Sequence, residues 1–236
     1  MKKETRSEIV RRIKAKDLKW LLEKAGELHG HFCPGLALGV KAAYAAIIRL
    51  RKYENFGMED LLAIVECNNC FADGIQIVTG CSFGNNSLIY LDLGKTAFTL
   101  VERNTGKGIR VAKKPESQSQ RSFLDEKTRR LFEKVVKKRK GTPEEEEKLR
   151  TLWEENSFRI LEIPETGLFN IKKVTPEIPP FAPIVDSGTC HKCGEEAMET
   201  RLVLVEGKPT CLTCAGAEFR ILAGKGIYTS CIKTNR

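Results

Sequence analysis

Apolar side chains recur at helical spacing in the first part of the chain, and they predict two helices there. Over residues 7–28 the apolar positions form one stripe, which predicts a single amphipathic helix. The stripe stops at a cluster of His, Gly, Cys and Pro at residues 29–35. Pro34 suits the first turn of the next helix, since its missing N–H has no partner there anyway. This second helix is expected to run from Leu36 to about Tyr53.

The middle of the chain has the short apolar runs that are typical of strands. Residues 61–66 predict a buried strand, and the apolar residues after Cys70 predict a short helix that Gly80 ends. Further strand candidates, several separated by glycine-containing turns, cover residues 87–93, 96–102, 108–112, 160–163 and 169–174. Because βαβ units do not alternate along this pattern, it predicts an α+β fold, an antiparallel sheet with helices packed on it.

Residues 122–158 have the pattern of a helical hairpin inserted in this core domain. Ser122 can cap the first helix, and Thr142 and Glu145 can form a capping box for the second, with Pro143 in its first turn. The first helix is rich in Lys and Arg, whereas the second begins with a run of glutamates. Opposite charges favour pairing of the two helices with each other, or pairing between two subunits.

Prolines mark a boundary towards the end of the chain. Pro176, Pro179, Pro180 and Pro183 favour an extended backbone, so residues 176–186 are expected to form a stiff linker. We therefore expect a core domain at residues 1–175 and a small C-terminal module at residues 187–236.

Composition restricts the class of protein. The chain has 236 residues, of which 41% are hydrophobic and 30% charged, as in globular domains with an apolar core. No apolar run approaches the roughly 20 residues that cross a bilayer. No secretory apolar block follows the N-terminal charges, so we expect a cytoplasmic protein without a membrane partner.

The net charge of +9 is concentrated in one segment. Residues 103–140 hold fourteen Lys or Arg and four Asp or Glu, which accounts for the whole excess. Such a segment can bind nucleic acid, but a Lys-rich helix face is more often simply solvated. The acidic second helix of the hairpin and the nearly neutral C-terminal module both argue against nucleic acid, because phosphate binding needs clustered positive charge.

Nine cysteines in a cytoplasmic chain indicate thiolate or metal chemistry, because cytosolic reductants keep thiols reduced. Cys190 and Cys193 form one Cys-x-x-Cys pair, Cys211 and Cys214 form a second, and seventeen residues separate the two pairs. Two such pairs are typical of a structural Zn²⁺ site. Residues 198–210 are expected to form a hairpin and Cys214 to open a helix, which makes a treble-clef or zinc-ribbon module. The alternative, four free thiols, leaves a module too poor in large apolar side chains to fold alone.

A second group of potential ligands lies in the core domain and is less regular. It comprises His29, His31, Cys33, Cys70 and Cys81, with Cys67 as a further thiol. If the two helix ends meet, imidazole and thiolate could hold zinc or another borderline-soft metal with an open coordination position. The alternative is a set of buried, unreactive cysteines and a capping histidine, and the spacing alone does not decide between them.

Three blocks of sequence closely resemble the FmdE family, which takes its name from formylmethanofuran dehydrogenase. They are His29-Gly-His31-Phe-Cys33-Pro34-Gly35, Asn69-Cys70-Phe-Ala-Asp73-Gly74 through Thr79-Gly80-Cys81, and Asp92-Leu-Gly94-Lys95-Thr-Ala97-Phe98. The resemblance covers roughly residues 15–175, and the C-terminal finger is similar to one that some members carry. It implies an α+β core with an antiparallel sheet, intertwined homodimers, and a metal pocket to which His31, Cys33, Cys70 and Cys81 correspond, with His29 close by. Family members often have a lysine after the second block that this chain lacks.

The resemblance also implies a role, with three alternatives that remain open at this stage. The first is a metal-binding dimer that acts as an accessory subunit, in a larger dehydrogenase complex or as a partner in one-carbon or molybdopterin-linked metabolism, related to methanogenesis. The second is a metal-responsive regulator or protein-interaction module that uses its finger. The third is an enzyme with a thiolate nucleophile or a metal-bound water, for which His31, Cys33 and Cys81 are the candidate catalytic residues. Zinc is expected in the finger, and the core metal, zinc by preference, is not identified by the sequence.

Overall fold

The computed structural model describes residues 6–53, 58–115 and 126–231. Its chain divides into two compact units, Met1–Pro179 and Pro180–Arg236. The expected cap at Ser122 lies outside the described residues. Among the helices that are described, none combines the length and the apolar character needed to cross a bilayer.

The first unit begins with helices and continues into a mixed sheet. Its helices are α1 (Ser7–Lys14), α2 (Leu18–His29), α3 (Pro34–Leu50), α4 (Cys70–Thr79), α5 (Glu126–Phe132), α6 (Pro143–Glu162) and α7 (Glu165–Leu168). Its strands are β1 (Leu61–Val65), β2 (Leu88–Tyr90), β3 (Ala97–Glu102), β4 (Gly108–Lys113) and β5 (Phe169–Val174). The α+β class predicted from the sequence is confirmed.

The first apolar stripe forms two helices, not one. Asp17 breaks it, because its carboxylate accepts a hydrogen bond from the backbone N–H of Trp20 at 3.1 Å and so caps α2. The preceding residue, Lys16, has a φ of 59°, which a continuous helix does not allow. Pro34 does open the next helix, as expected, and α3 ends at Leu50.

The sheet has the strand order β2-β1-β3-β4-β5. All neighbouring pairs are antiparallel except β1 and β2, which are parallel. The sheet is thus antiparallel as expected, except at the β1–β2 edge, where the pairing differs from the expectation. The reason is that α4 connects β1 to β2, and a helical crossover of this kind returns the chain to the same end of the sheet.

A second correction concerns residues 160–163, which were expected to form a strand. They belong to the last turn of α6 and the residue after it. A short apolar run fits a buried helix face as well as a strand, and Ile160 is buried on the core side of α6. The capping box at Thr142 is present, with the backbone N–H of Thr142 donating to the carboxylate of Glu145 at 3.0 Å. Between α5 and α6 the helix continues as one π-helical turn at Glu133–Lys137.

The core lies between the helices and one face of the sheet, with α3 at its centre. Residues 36–47 of α3 are all buried. Two glycines allow α3 and α4 to approach closely: a Cβ at Gly39 would lie 2.1 Å from the carbonyl oxygen of Phe71, and one at Gly74 would lie 2.6 Å from that of Leu36. This contact fixes α4 against α3 and brings their N-terminal ends to one side of the core.

The second unit consists of short hairpins and one helical turn. Its elements are β6 (Ser187–Thr189), β7 (Glu196–Met198), β8 (Leu202–Val205), β9 (Lys208–Cys211), α8 (Leu212–Ala215), β10 (Phe219–Ala223) and β11 (Gly226–Ser230). The expected hairpin is present as β8 and β9. Cys214 does not open a helix, because α8 begins at Leu212 and ends at Ala215, and the C-cap Gly216 has a φ of 66°. The chain then continues as strand β10.

Candidate metal centres

The first candidate centre forms where the N-terminal ends of α3 and α4 meet. Cys33 is the N-cap of α3, and its sulfur accepts from the backbone N–H of Leu36 at 3.5 Å. Cys70 is the first residue of α4, directly after the N-cap Asn69. One donor atom each of His29, Cys33 and Cys70 lies within 4.8 Å of the other two. Helix N-terminal ends favour thiolate at both cysteines.

The imidazole of His29 is held in one orientation by Asp73. Nδ1 of His29 lies 2.7 Å from Oδ2 of Asp73, and Nε2 lies 3.7 Å from Sγ of Cys33. A carboxylate accepts hydrogen bonds, so the contact with Asp73 suits a proton on Nδ1 and directs Nε2 towards the sulfur of Cys33. The other oxygen of Asp73 accepts from Nε2 of Gln76 at 3.1 Å. A carboxylate that orients a histidine in this way is a regular feature of protein metal sites.

A hydrogen bond between the two thiols shifts their pKa values in opposite directions. The hydrogen bond from Cys33 lowers the pKa of Cys70 to about 6, with burial opposing this and His29 reinforcing it. The same hydrogen bond and burial raise the pKa of Cys33. Cys33 is 4% exposed and the His29 side chain 12%, so the cluster lies at the edge of the core.

His31 lies beside this cluster but outside the group of three. The centroid of its ring is 4.4 Å from that of His29, and its other neighbour is Trp153, stacked at 5.7 Å with an interplanar angle of 25°. Burial lowers the pKa of His31, with smaller contributions from His29 and Arg150. His31 is thus placed as a neighbour of the centre, where the sequence suggested a ligand.

Cys81 is not brought to the cluster. It follows α4 at the end opposite Cys70, and ten helical residues separate the two ends by about 15 Å. Its sulfur is fully buried and donates to the carbonyl oxygen of Leu61 at 3.3 Å, and burial raises its pKa. Cys67 is also buried outside the group, with its sulfur 3.5 Å from Oδ1 of Asn69.

Two residues near the centre were not identified by sequence reasoning. Asp73 follows Cys70 by three positions, a spacing that places both on one side of a helix, so the signal was present in the second motif block. Trp153 lies on α6, which is 120 residues further along the chain, and nothing local in the sequence indicates its contact with His31.

The second candidate centre is the group of four cysteines in the C-terminal unit. The sulfurs of Cys190, Cys193, Cys211 and Cys214 lie within 4.8 Å of one another. The backbone N–H of Cys211 donates to the sulfur of Cys190 at 3.3 Å, and hydrogen bonds from the backbone at Cys211 and Cys193 lower the pKa of Cys190 to about 6. Backbone N–H groups directed at sulfur stabilise thiolate, the form that binds metal.

A family model described as "FmdE, Molybdenum formylmethanofuran dehydrogenase operon" matches residues 28–170, which include the whole of the first centre. The chain belongs to the FmdE family. A second model, the prokaryotic dksA/traR C4-type zinc finger, matches residues 186–218 and includes all four cysteines of the second centre. This FmdE-family chain therefore carries a C4-type finger after its core domain.

Two similar proteins add to this assignment. A protein of Archaeoglobus fulgidus named "Probable S-adenosyl-L-methionine-binding protein" is 45% identical over 212 residues, which are 88% of this chain and 55% of that protein. The FmdE-family chain thus spans about half the length of this curated relative. The crystal structure of an FmdE-like protein of the tungsten formylmethanofuran dehydrogenase type, from Syntrophus aciditrophicus, superposes with a TM-score of 0.54. The two sequences are 23% identical, and the superposition covers 84% of this chain and 92% of the other chain. The likeness supports the fold.

Proposed function

We propose that this FmdE-family protein binds one metal ion at His29, Cys33 and Cys70 and uses its remaining coordination position to hold a small ligand. The observation that carries the proposal is the donor set itself: two sulfurs and one imidazole nitrogen within 4.8 Å of one another. Three protein ligands with a vacant fourth position are typical of catalytic zinc sites, whereas structural sites are closed by four. Zn²⁺ suits this mixed set best, and other borderline-soft divalent ions also fit.

The chain's own residues have separate roles in this proposal. Asp73 holds the proton on Nδ1 of His29 and so presents Nε2 to the metal. Cys33 and Cys70 supply negative charge at two helix N-terminal ends. His31 and Trp153 flank the centre and restrict what can approach it. The metal, when bound, supplies Lewis acidity to the ligand.

Metal content of the purified full chain tests the proposal. The wild-type protein should hold two metal equivalents by mass spectrometric metal analysis, one at each centre. Cys33→Ser and Cys70→Ser should each lose one equivalent. Cys67→Ser and Cys81→Ser are matched controls, because both thiols are buried in the same domain but lie outside the cluster, and both variants should keep two. A wild-type protein with one equivalent, or equal losses in the controls, would contradict the proposal.

For the C-terminal unit we propose a structural Zn²⁺ held by Cys190, Cys193, Cys211 and Cys214. Four thiolates close the coordination shell, which suits folding and leaves no position for a substrate. The unit's short hairpins have few buried large side chains, so metal binding and folding are expected to be coupled. Both centres need reduced thiols, which supports a cytoplasmic location.

The wider role we propose is that of an accessory subunit or partner in one-carbon or molybdopterin-linked metabolism. The operon named in the family description supports it. Co-expression with formylmethanofuran dehydrogenase subunits from the same genome tests it. Co-elution of the chain with those subunits on size exclusion is the expected result, and separate elution under all conditions would contradict it.

A homodimer is also part of the proposal. Leu28, Phe83, Leu91 and Leu93 are large apolar side chains more than 40% exposed in the single chain, and we propose that association of two chains covers them. Light scattering coupled to size exclusion should give twice the mass of one chain. The mass of a single chain at micromolar concentration would contradict a stable dimer.

The relative's name supports a second candidate function, the binding of S-adenosylmethionine. The region shared with that relative covers most of this chain. Equilibrium dialysis with S-adenosylmethionine, with methionine as the control compound, tests this function. Saturable retention of S-adenosylmethionine alone is the expected result.

A further inference from the structure

A groove of about 280 Å³ runs along the helical hairpin, between the π-helical turn and α6. Its apolar side includes Val135, Leu149 and Trp153, and its polar side includes Arg139, Glu146 and Arg150. This volume is close to the lower end of the range for small-molecule sites. The combination of an aromatic wall with a few charged groups is also typical of such sites.

Trp153 connects this groove to the core metal centre. The residue lines the groove, and its ring also stacks on His31, which in turn lies next to His29. Phe132 is a further ring neighbour of Trp153, with centroids 6.0 Å apart. These two ring contacts hold the indole in place, and a planar ligand ring can pack against such a fixed aromatic side chain without much loss of side-chain entropy.

Two arginines provide positive charge at the groove. Both Arg139 and Arg150 are exposed, and the guanidinium group of Arg150 also lies 3.9 Å from the carboxylate of Glu147, a long surface contact that an anionic ligand can displace. A guanidinium group recognises carboxylate or phosphate by paired hydrogen bonds. Glu146 supplies an acceptor for a hydroxyl or ammonium group on the same ligand.

The backbone around the groove is irregular in two ways. Glu133–Lys137 is π-helical, with the backbone N–H of Lys138 donating to the carbonyl of Glu133 at 3.0 Å. Single π-helical turns occur frequently at functional sites. Arg139 has a φ of 54° just after this turn, and the backbone N–H of Lys140 donates to the carbonyl oxygen of Lys134 at 3.0 Å, so Arg139 ends the helix as a left-handed C-terminal cap does.

The geometry points to this groove as the binding site of a ligand that joins a flat aromatic ring to an anionic group, with the ring against Trp153 and the anion at Arg139 and Arg150. The inference deepens the proposed function and rests on it for the ligand's purpose, because only two side chains, Trp153 and His31, would connect the ring to the metal ligand His29. The anion is a phosphate or a carboxylate, and adenosine monophosphate and S-adenosylmethionine represent these two sources.

Fluorescence of the full-length Trp20→Phe variant provides the test, because Trp153 is then the only tryptophan. Either adenosine monophosphate or S-adenosylmethionine should change the emission of Trp153 saturably. The compound that binds more tightly shows whether the anion is a phosphate or a carboxylate. Adenosine, which has the ring alone, should bind at least about tenfold more weakly, and inorganic phosphate alone should leave the emission unchanged. Equilibrium dialysis of the wild-type protein repeats the measurement if the variant folds poorly.

Variants of the groove separate this site from other binding. Arg139→Ala and Arg150→Ala should each weaken binding about tenfold. Arg159→Ala is the matched control, since Arg159 is exposed on the same helix outside the groove, and it should bind like the parent. No saturable change with either probe up to about 1 mM, or equal losses in all three variants, would overturn the inference.

Metal analysis of the same samples distinguishes the two proposals. If the protein holds two metal equivalents but binds neither probe, the groove is not a binding site for this ligand class, and the proposal of a core metal centre is retained. If the protein binds ligand with the expected dependence on the arginines but holds only the finger's metal, the groove is supported as a binding site. The proposal of a core metal centre would then be contradicted.

Discussion

Nδ1 of His29 lies 2.7 Å from Oδ2 of Asp73, although 44 positions separate the two residues in the chain. The contact joins the last residue of α2 to the first turn of α4. The contact depends on α3, because this helix packs against both α2 and α4. Cys33 is the N-cap of the same helix. The imidazole is therefore oriented towards the two sulfurs before any metal arrives.

Asp73→Asn should weaken metal binding at the core centre about 10- to 100-fold, the usual cost of removing a carboxylate behind a ligating histidine. The finger's metal should be unaffected. Competition with a chelator of known affinity measures the change. Glu23→Gln, an exposed carboxylate on α2, is the control and should bind metal like the wild type. Equal affinities for the two variants would show that Asp73 does not orient a ligand.

Gly39→Ala should destabilise the first unit by at least about 2 kcal/mol, because the added methyl would meet the carbonyl oxygen of Phe71 at 2.1 Å. Backbone atoms cannot move aside without separating α3 from α4. The core metal should be lost along with stability, since Cys33 and Cys70 lie on these two helices. Thermal unfolding and metal analysis measure both effects. Gly84→Ala, where the structure has open space around the glycine, should change neither.

Lys41→Met should lower stability by about 1–3 kcal/mol, the range expected when buried polar groups lose their partner. Lys41 is 4% exposed, and its ammonium group donates to the carbonyl oxygens of Leu161 and Ile163 at the end of α6. Denaturant unfolding measures the loss, with Lys148→Met on the exposed side of α6 as the control. A stability equal to that of the control would mean that packing alone holds the end of α6.

Cys211→Ser should remove the finger's metal and make the C-terminal unit sensitive to protease, because its fold depends on the closed site. Limited proteolysis followed by mass spectrometry should show cleavage within residues 187–231 in the variant only. The exposed thiol of Cys231 offers the control, and Cys231→Ser should keep the wild-type cleavage pattern. Protection of the Cys211→Ser variant would show that the hairpins fold without metal.

Local signals were sufficient for many of the elements. The capping box at Thr142, the proline that opens α3 and the glycine that ends α4 act within one or two helical turns, so the sequence predicted them correctly. The paired Cys-x-x-Cys spacing was likewise enough to predict four sulfurs placed together, because only a short segment, β7 and the hairpin of β8 and β9, connects the two pairs.

Signals that depend on distant contacts were misleading or absent. The apolar run at residues 160–163 resembled a strand in the sequence. In the structure its residues end α6, because α6 packs its apolar side against α3. The parallel pairing of β1 and β2 follows from the path of α4, which apolar periodicity does not record.

The sequence by itself determined the α+β class, the finger's four cysteines and the set of residues from which a core centre could be built. Only the tertiary structure decided the membership of that centre: Cys33 and Cys70 meet because two glycines let α3 and α4 touch, while Cys81 is held at the far end of α4. The same packing placed Trp153 over His31. Local hydrogen bonding and spacing are encoded within a few residues, whereas the meeting of helix ends depends on how the whole core packs.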